Sequence, residues 1–171
     1  MKTETNKLEI PKPIKNISEI LSKSGFENFV VGGCVRDLLM GTVHGEPVEP
    51  KDWDITTNAT PEQIQKLFPH TFYENEYGTV GVVDESEKSE SLKVVEVTPF
   101  RVESVYSDFR RPDSVVWGKT LAEDLARRDF TVNALAYDIK NNKLIDLYGG
   151  EKDIEKKTIR TVGKPEERFN E

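Results

Sequence analysis

Asp52-Trp53-Asp54 is the stretch of this sequence whose residue types and spacing best suit chemistry. In an extended strand, successive side chains alternate between faces. Two acids two residues apart therefore project to one side, while Trp53 and Ile55 turn the other way into a core. Like charges that close repel unless a cation stands between them. Mg²⁺ is a hard cation that prefers carboxylate oxygens together with substrate phosphates. A carboxylate pair of this kind is what a two-metal phosphoryl-transfer site needs, with the metals about 3.5–4 Å apart. Alone, the pair is equally compatible with a solvated strand end. Gly32-Gly33 narrows the choice, because a glycine pair between strand and helix lets the backbone approach a phosphate at a helix N-terminus. Arg36, one turn into that helix, adds a charged fork for triphosphate oxygens. Neither G-x-x-x-x-G-K-[ST] nor G-x-G-x-x-G occurs, so this is neither a P-loop nor a dinucleotide fingerprint.

The elements that must position these groups are legible in outline. Residues 1–12 are largely polar, with a proline at Pro11, and read as a frayed lead-in. Ile14, Ile17, Ile20 and Leu21 recur at helical spacing up to Gly25. Phe29–Val31 reads as a buried strand, Val35–Met40 as a helix closed by Gly41, and residues 52–57 as a strand. Thr60-Pro61-Glu62-Gln63 and Thr120–Glu123 are capping boxes that open two helices, the second expected to carry Arg127-Arg128-Asp129. Thr79–Val83 and Leu92–Arg101 are β-rich, separated by a charged hairpin tip over residues 84–91. Residues 102–118 read as a long loop. Leu144–Leu147, a short helix after Gly149-Gly150, and Thr158–Val162 finish the chain. Strands alternating with helices predict an α/β or α+β domain. Its mixed, twisted sheet would be flanked by helices, with the active site at the exposed edge of the Asp52 strand.

Composition bounds the reading. At 171 residues, 36% hydrophobic and 32% charged, the chain is an ordinary globular domain and short for two. No apolar run nears the roughly 20 residues that span a bilayer, and the polar, mixed-charge start is unlike a signal peptide. Neither observation suggests a membrane partner. The lone Cys34 suits a reducing cytoplasm, and with only two histidines beside it a Cys/His zinc site has too few ligands. The net charge of −7 is lopsided. Residues 1–100 hold 10 Lys and Arg against 17 Asp and Glu, whereas residues 101–171 balance at 14 and 14. A broad RNA footprint on this piece alone is therefore not expected.

Gly32-Gly33-Cys34-Val35-Arg36-Asp37 followed by Asp52-Trp53-Asp54 resembles the GGxVRD and DxD signature of class II CCA tRNA nucleotidyltransferases and bacterial poly(A) polymerases. These form one family within the polymerase-β-like nucleotidyltransferase superfamily. Further stretches match in order. Glu96-Val97-Thr98-Pro99-Phe100-Arg101 resembles the strand that offers a third carboxylate, Glu96, although that residue could equally serve the fold near Arg101. Arg127–Ala134 resembles the RRDFTxNA motif that recognises ribose and phosphates. Asp146, Gly150 and Asp153 fit an element coupling head to neck, and Arg110-Arg111 fall in what resembles the flexible loop.

The resemblance implies a catalytic head, residues 13–150, with residues 151–171 starting the connection to a neck domain. Asp52 and Asp54 would hold two Mg²⁺ ions, with Glu96 as a further catalytic acid. Gly32, Gly33, Arg36, Arg128, Asp129 and Asn133 would bind the nucleotide, CTP or ATP. Asp129 can accept a hydrogen bond from a ribose 2′-hydroxyl, and Arg128 is a planar donor fork for phosphate. The partner would be a tRNA or other RNA 3′ end. CCA addition is the first expectation; poly(A), CC-only and A-only addition are alternatives. A non-catalytic assembly module or a small-molecule nucleotidyltransferase would explain fewer of the motifs. Two departures stand out. Gly33 and Asp52 are separated by 18 residues, longer than usual through Gly45–Pro50. Glu171 aligns with the first acid of an E-D-x-x-R motif, so the base-reading Asp and Arg are not in this sequence, and the main RNA-binding surface would lie on downstream helical domains.

Overall fold

The computed structural model describes residues 7–73, 78–102 and 116–168. Arg110, Arg111 and Glu171 lie outside the described residues.

Helix α1 (Lys12–Lys23) begins with a proline in its first turn and buries Ile14, Ile17 and Leu21 on one face. It ends before Gly25, whose φ of +87° is glycine territory. Of the expected lead-in, residues 1–6 lie outside the described residues, and two of the remaining side chains pack. Leu8 and Ile10 are each only 4% exposed, and the Leu8 N–H donates to the Tyr137 hydroxyl. Burying two aliphatic side chains outweighs the polarity of their neighbours.

Strand β1 (Asn28–Val31) runs through Gly32 into α2 (Gly33–His44), then β2 (Asp54–Thr57) and α3 (Pro61–Leu67). Helix α2 does not stop at Gly41. It continues to His44 and closes on Gly45 in the left-handed conformation, a common helix ending. Gly41 instead gives room to the returning loop, since a Cβ there would lie 3.2 Å from the Val48 nitrogen. Next come β3 (Thr71–Tyr73), β4 (Val80–Val83), the single turn α4 (Glu90–Lys93) and β5 (Val94–Pro99). The ends of the expected long loop form a small hairpin of β6 (Arg101–Val102) with β7 (Val116–Trp117). The chain continues through α5 (Leu121–Ala126), a 3₁₀ turn at Thr131–Asn133, β8 (Leu135–Asp138), β9 (Lys143–Asp146), α6 (Gly150–Glu155) and α7 (Pro165–Arg168).

Seven strands form one sheet in the order β3-β4-β5-β2-β1-β8-β9, with β2–β5 parallel and the other pairings antiparallel. The expected mixed sheet with helices is what forms. Its register explains the division of labour between faces. Val80, Val97, Ile55, Val30 and Tyr137 are successive cross-strand partners, and each is at most 1% exposed. That row faces the main core, where Ile14, Leu21, Val35, Leu39 and Ile64 pack. The row beside it runs Phe72, Gly81, Glu96, Asp54, Val31 on the opposite face. Over that second face, α5 lays Leu125 on Val31 and Ala136. Among the described residues, no helix crosses the part that bears Asp54 and Glu96.

Packing continues past residue 150. Ile154 and Val162 are 5% and 3% exposed, and Phe130 pairs with Thr161 in an isolated bridge. Residues 150–162 therefore belong to the packed body.

Candidate active site

Strand β2 sits fourth of seven, so its acids reach solvent through the sheet's open face and not at a sheet edge as expected. Asp52 precedes β2 proper, but the Trp53 carbonyl accepts the Glu96 N–H at 3.0 Å, which carries the pairing with β5 back one residue. Along residues 52–55 exposure alternates as a strand requires. Asp52 is exposed, Trp53 is buried, Asp54 is half-buried and Ile55 is buried. Glu96 is the direct cross-strand partner of Asp54, which puts both on one face.

The glycine turn converges on the same place. Gly32 has φ +80°, and a Cβ there would lie 2.9 Å from Arg128 Nη1 and 3.6 Å from Asp54 Oδ2. Its amide is not offered to a ligand as expected, since it donates to the Leu135 carbonyl at 3.1 Å. Gly32 acts by leaving room, and Gly33 begins the helix whose first turn leaves N–H groups without intrahelical partners. Cys34 lies behind this turn, and its thiol donates to the Val31 carbonyl. Burial pushes that thiol up to about 12, with the charges of Asp54 and Asp52 adding to the rise against a hydrogen bond from the Asp54 amide. It is a packed, unreactive group.

The cationic side is held firmly. Arg36 places Nε and Nη2 each 2.8 Å from Asp37 Oδ1, and donates from Nη1 to Asn133 Oδ1 at 2.7 Å. Arg128 reaches the Asn133 carbonyl with Nη1 at 3.5 Å. Asn133 thus links the two arginines expected to take phosphates. Arg127, Arg128 and Asp129 lie beyond α5, which ends at Ala126, so the expected arginine-bearing helix is shorter than read. The Asp129 carbonyl accepts from the Val162 N–H and the Thr131 N–H donates to the Arg160 carbonyl, so residues 129–131 run beside residues 160–162. The Asp129 side chain stays exposed.

A cleft of about 260 Å³ is lined by Asp54, Glu96, Arg127, Arg128 and a set that sequence reasoning missed: Thr56, Thr79, Thr98 and Arg101; Asp52, Gly32, Arg36, Asp129 and Asn133 do not line it. Thr56 and Thr98 follow Asp54 and Glu96 by two residues, the period that shares a strand face. That spacing was the available signal. The Thr56 hydroxyl is buried without a hydrogen-bond partner among the described residues, whereas Thr79 and Thr98 lie 3.1 Å apart through their hydroxyls and Arg101 Nη2 donates to Thr79 at 2.8 Å. Asp124, also missed, is fully buried and binds both Arg127 and Arg128. Its spacing of three and four residues ahead of those arginines is the helical neighbour relation. A larger cavity of about 470 Å³ lies on the other flank of α2, lined by Arg36, His44, Val48 and Ile159 among others, away from the acids.

Asp146 and Asp153 serve this body from within. The Asp146 carboxylate accepts four backbone N–H groups, from Tyr148 through Glu151, and caps α6. Asp153 accepts from the Thr131 hydroxyl at 2.5 Å and pairs with Arg160 at 2.8 Å.

Among the described residues no three His, Cys, Asp or Glu side chains form a ready-made metal cage, and no helix is long and apolar enough to cross a membrane. The donor set still suits Mg²⁺. The cation takes one or two carboxylates plus substrate phosphates and waters, not a dedicated protein cage, and Asp52 and Asp54 supply hard oxygens of that kind.

Residues 28–160 match the family described as the poly A polymerase head domain. The chain is 47% identical over 157 residues to a CCA-adding enzyme of Staphylococcus aureus, covering 91% of this chain and 36% of that protein. It is 46% identical over 156 residues to the CCA-adding enzyme of Bacillus subtilis, with the same coverage. The fold is similar to the crystal structure of the Bacillus stearothermophilus CCA-adding enzyme in complex with CTP, at a TM-score of 0.75 and 37% identity over 94% of this chain and 36% of that one. A tRNA nucleotidyltransferase complexed with a primer tRNA and an incoming ATP analog aligns at a TM-score of 0.62 and 28% identity, covering 85% of this chain and 38% of that one. The chain thus spans little more than a third of the proteins it matches.

Proposed function

This chain belongs to the poly A polymerase head domain family, and on that premise we propose that it is the catalytic head of a nucleotidyltransferase that builds the CCA end of tRNA from CTP and ATP. The observation that carries the reading is the convergence of Asp54, the Gly32 turn and Arg128, with Glu96 in register beside Asp54. CCA addition is favoured over poly(A) addition because the relatives at 46–47% identity are named CCA-adding enzymes. A cytoplasmic setting goes with that reading.

In the proposed reaction the RNA 3′ oxygen attacks the α-phosphorus of the nucleoside triphosphate. The bond to the β-phosphate breaks, pyrophosphate leaves with the electron pair, and the hydroxyl proton passes to water. Asp52 and Asp54 would hold Mg²⁺, which when bound lowers the pKa of the attacking hydroxyl and neutralises charge on the leaving group. The chain's own part is positioning and electrostatics, as in phosphoryl transfer generally. Arg36 and Arg128, fixed through Asn133, present guanidinium groups to phosphate oxygens. The first turn of α2 adds unpaired N–H groups and the positive end of a helix dipole. Asp129, exposed beside Arg128, accepts the ribose 2′-hydroxyl. Glu96 adds a third carboxylate along the path of the incoming 3′ end. The reading of residues 151–171 as the start of a connection to a neck domain is part of this proposal.

The test is incorporation of labelled CTP and ATP into tRNA lacking its 3′ CCA, in the protein and its Asp52→Ala variant. The expected result is weak nucleotide incorporation by the wild type, since the base-reading Asp and Arg are not in this sequence, and a loss of about 100-fold or more in the variant, given that a bound metal supplies several kcal/mol of transition-state stabilisation. Equal rates would remove the reading.

A further inference from the structure

Asp124 has no solvent exposure, and its carboxylate accepts four N–H groups. Oδ1 takes Arg127 Nε at 3.2 Å, Arg127 Nη2 at 2.9 Å and the Arg101 backbone N–H at 3.2 Å, while Oδ2 takes Arg128 Nη2 at 3.2 Å. We infer that Asp124 is a positioning residue: it aims the Arg128 guanidinium at the Gly32 turn and thereby sets how tightly the nucleoside triphosphate is held. The inference rests on the function proposed above and adds a residue to it.

Three observations carry it. First, Arg127 and Arg128 are adjacent cations on one wall of the cleft. Two guanidinium groups that close repel, and a carboxylate between them removes the repulsion while fixing both in direction. Secondly, the holds on Arg128 are few. Among the described residues, Nη2 is on Asp124, Nη1 is at the long limit of 3.5 Å from the Asn133 carbonyl, and Nε is buried with no hydrogen-bond partner. Without Asp124 the side chain keeps one weak hold. Its Nη1 would swing away from the turn, where it now sits 2.9 Å from the position of a Gly32 Cβ. Thirdly, the same carboxylate takes the Arg101 amide at the start of β6, just after the strand that bears Glu96. One acid therefore ties the Arg128 wall of the cleft to the Glu96 wall.

A purely structural ion pair would affect melting without regard to what Arg128 does, whereas a positioning residue acts on the ligand through Arg128. The two are separated by a double-mutant cycle. CTP affinity is measured by titration calorimetry in the presence of Mg²⁺ for the wild type, Asp124→Asn, Arg128→Ala and the double variant, with a melting curve for each. Asp124→Asn is expected to weaken CTP binding about 10-fold when Arg128 is present. In the Arg128→Ala background the same change is expected to cost almost nothing further. An equal loss in both backgrounds, or no loss in either, overturns the positioning role while leaving the proposed function standing. A wild type that binds no CTP overturns both. If Asp124→Asn is unfolded at the assay temperature, Asp124→Glu keeps the charge at a displaced position and carries the same cycle, with a coupled loss again expected.

Discussion

At the residue scale, the carboxyl of Asp124 is governed by opposing effects. Burial would raise its pKa, but the charges of Arg127 and Arg128, with the hydrogen bonds from Arg127 and the Arg101 amide, hold it below the ordinary aspartate value. A group whose folded pKa is depressed lends stability above its unfolded value, near pH 4, and loses it as the pH falls through the folded one. Melting curves should therefore show Asp124→Asn about 1–3 kcal/mol less stable than wild type at neutral pH. The gap should begin to narrow below about pH 4, where the unfolded side chain takes up a proton, and close only once the pH has fallen through the depressed folded value. A gap that stays constant down to pH 2 would mean that the charge of Asp124 does not stabilise the fold. Asp124 also shows what one residue's identity conceals. The sequence places it inside a capping-box helix, where an acid is normally solvated, and only the return of Arg101 and the α5 packing buries it. Asp52, Asp54, Gly32 and Arg36 were easier to find, because strand alternation and the strand-glycine-helix order are local and need no knowledge of the rest of the chain.

At the element scale the same distinction holds. Both capping boxes form as read, since each needs only four consecutive residues. Strand β1, helix α3 and strand β4 likewise follow from short patterns. The overlooked elements depend on distant partners. Strand β8 supplies Ala136 and Tyr137 to the two faces through pairing with β1 and β9, and the Arg127–Asp129 stretch is kept out of a helix by residues 160–162. Helix α6 was placed correctly, but its close seating was not visible. A Cβ on Gly150 would stand 2.2 Å from the Thr131 carbonyl oxygen and 2.8 Å from its carbon. Both are backbone atoms, which cannot yield as a flexible side chain would. Gly150→Ala should therefore destabilise the protein by about 1–3 kcal/mol or more, the usual cost of overpacking, read as a lowered melting temperature. Because the same 3₁₀ turn carries Asn133, CTP affinity should fall with it. An unchanged melting temperature would show that α6 and the turn are not locked together.

At the scale of the whole molecule, the sheet separates stability from chemistry. One face is sealed by α1, α2 and α3 over a continuous apolar row; the other is partly covered by α5 and opens where Asp54 and Glu96 lie. A net charge of −7 is unfavourable for gripping RNA over a wide area, yet the cleft places Arg127, Arg128 and Arg101 against the acids. Charge is thus concentrated where a triphosphate and a divalent cation would sit together. The most direct test of this account is Mn²⁺ binding in the presence of CTP, followed by electron paramagnetic resonance in the wild type and in Asp54→Asn. Saturable binding in the wild type, weakened about 10-fold or more in the variant, is the expected result, since even the outer-shell partners of a metal are worth about 10–100-fold in affinity. Equal Mn²⁺ affinity in the two proteins would contradict the claim that the β2 acids hold the metal.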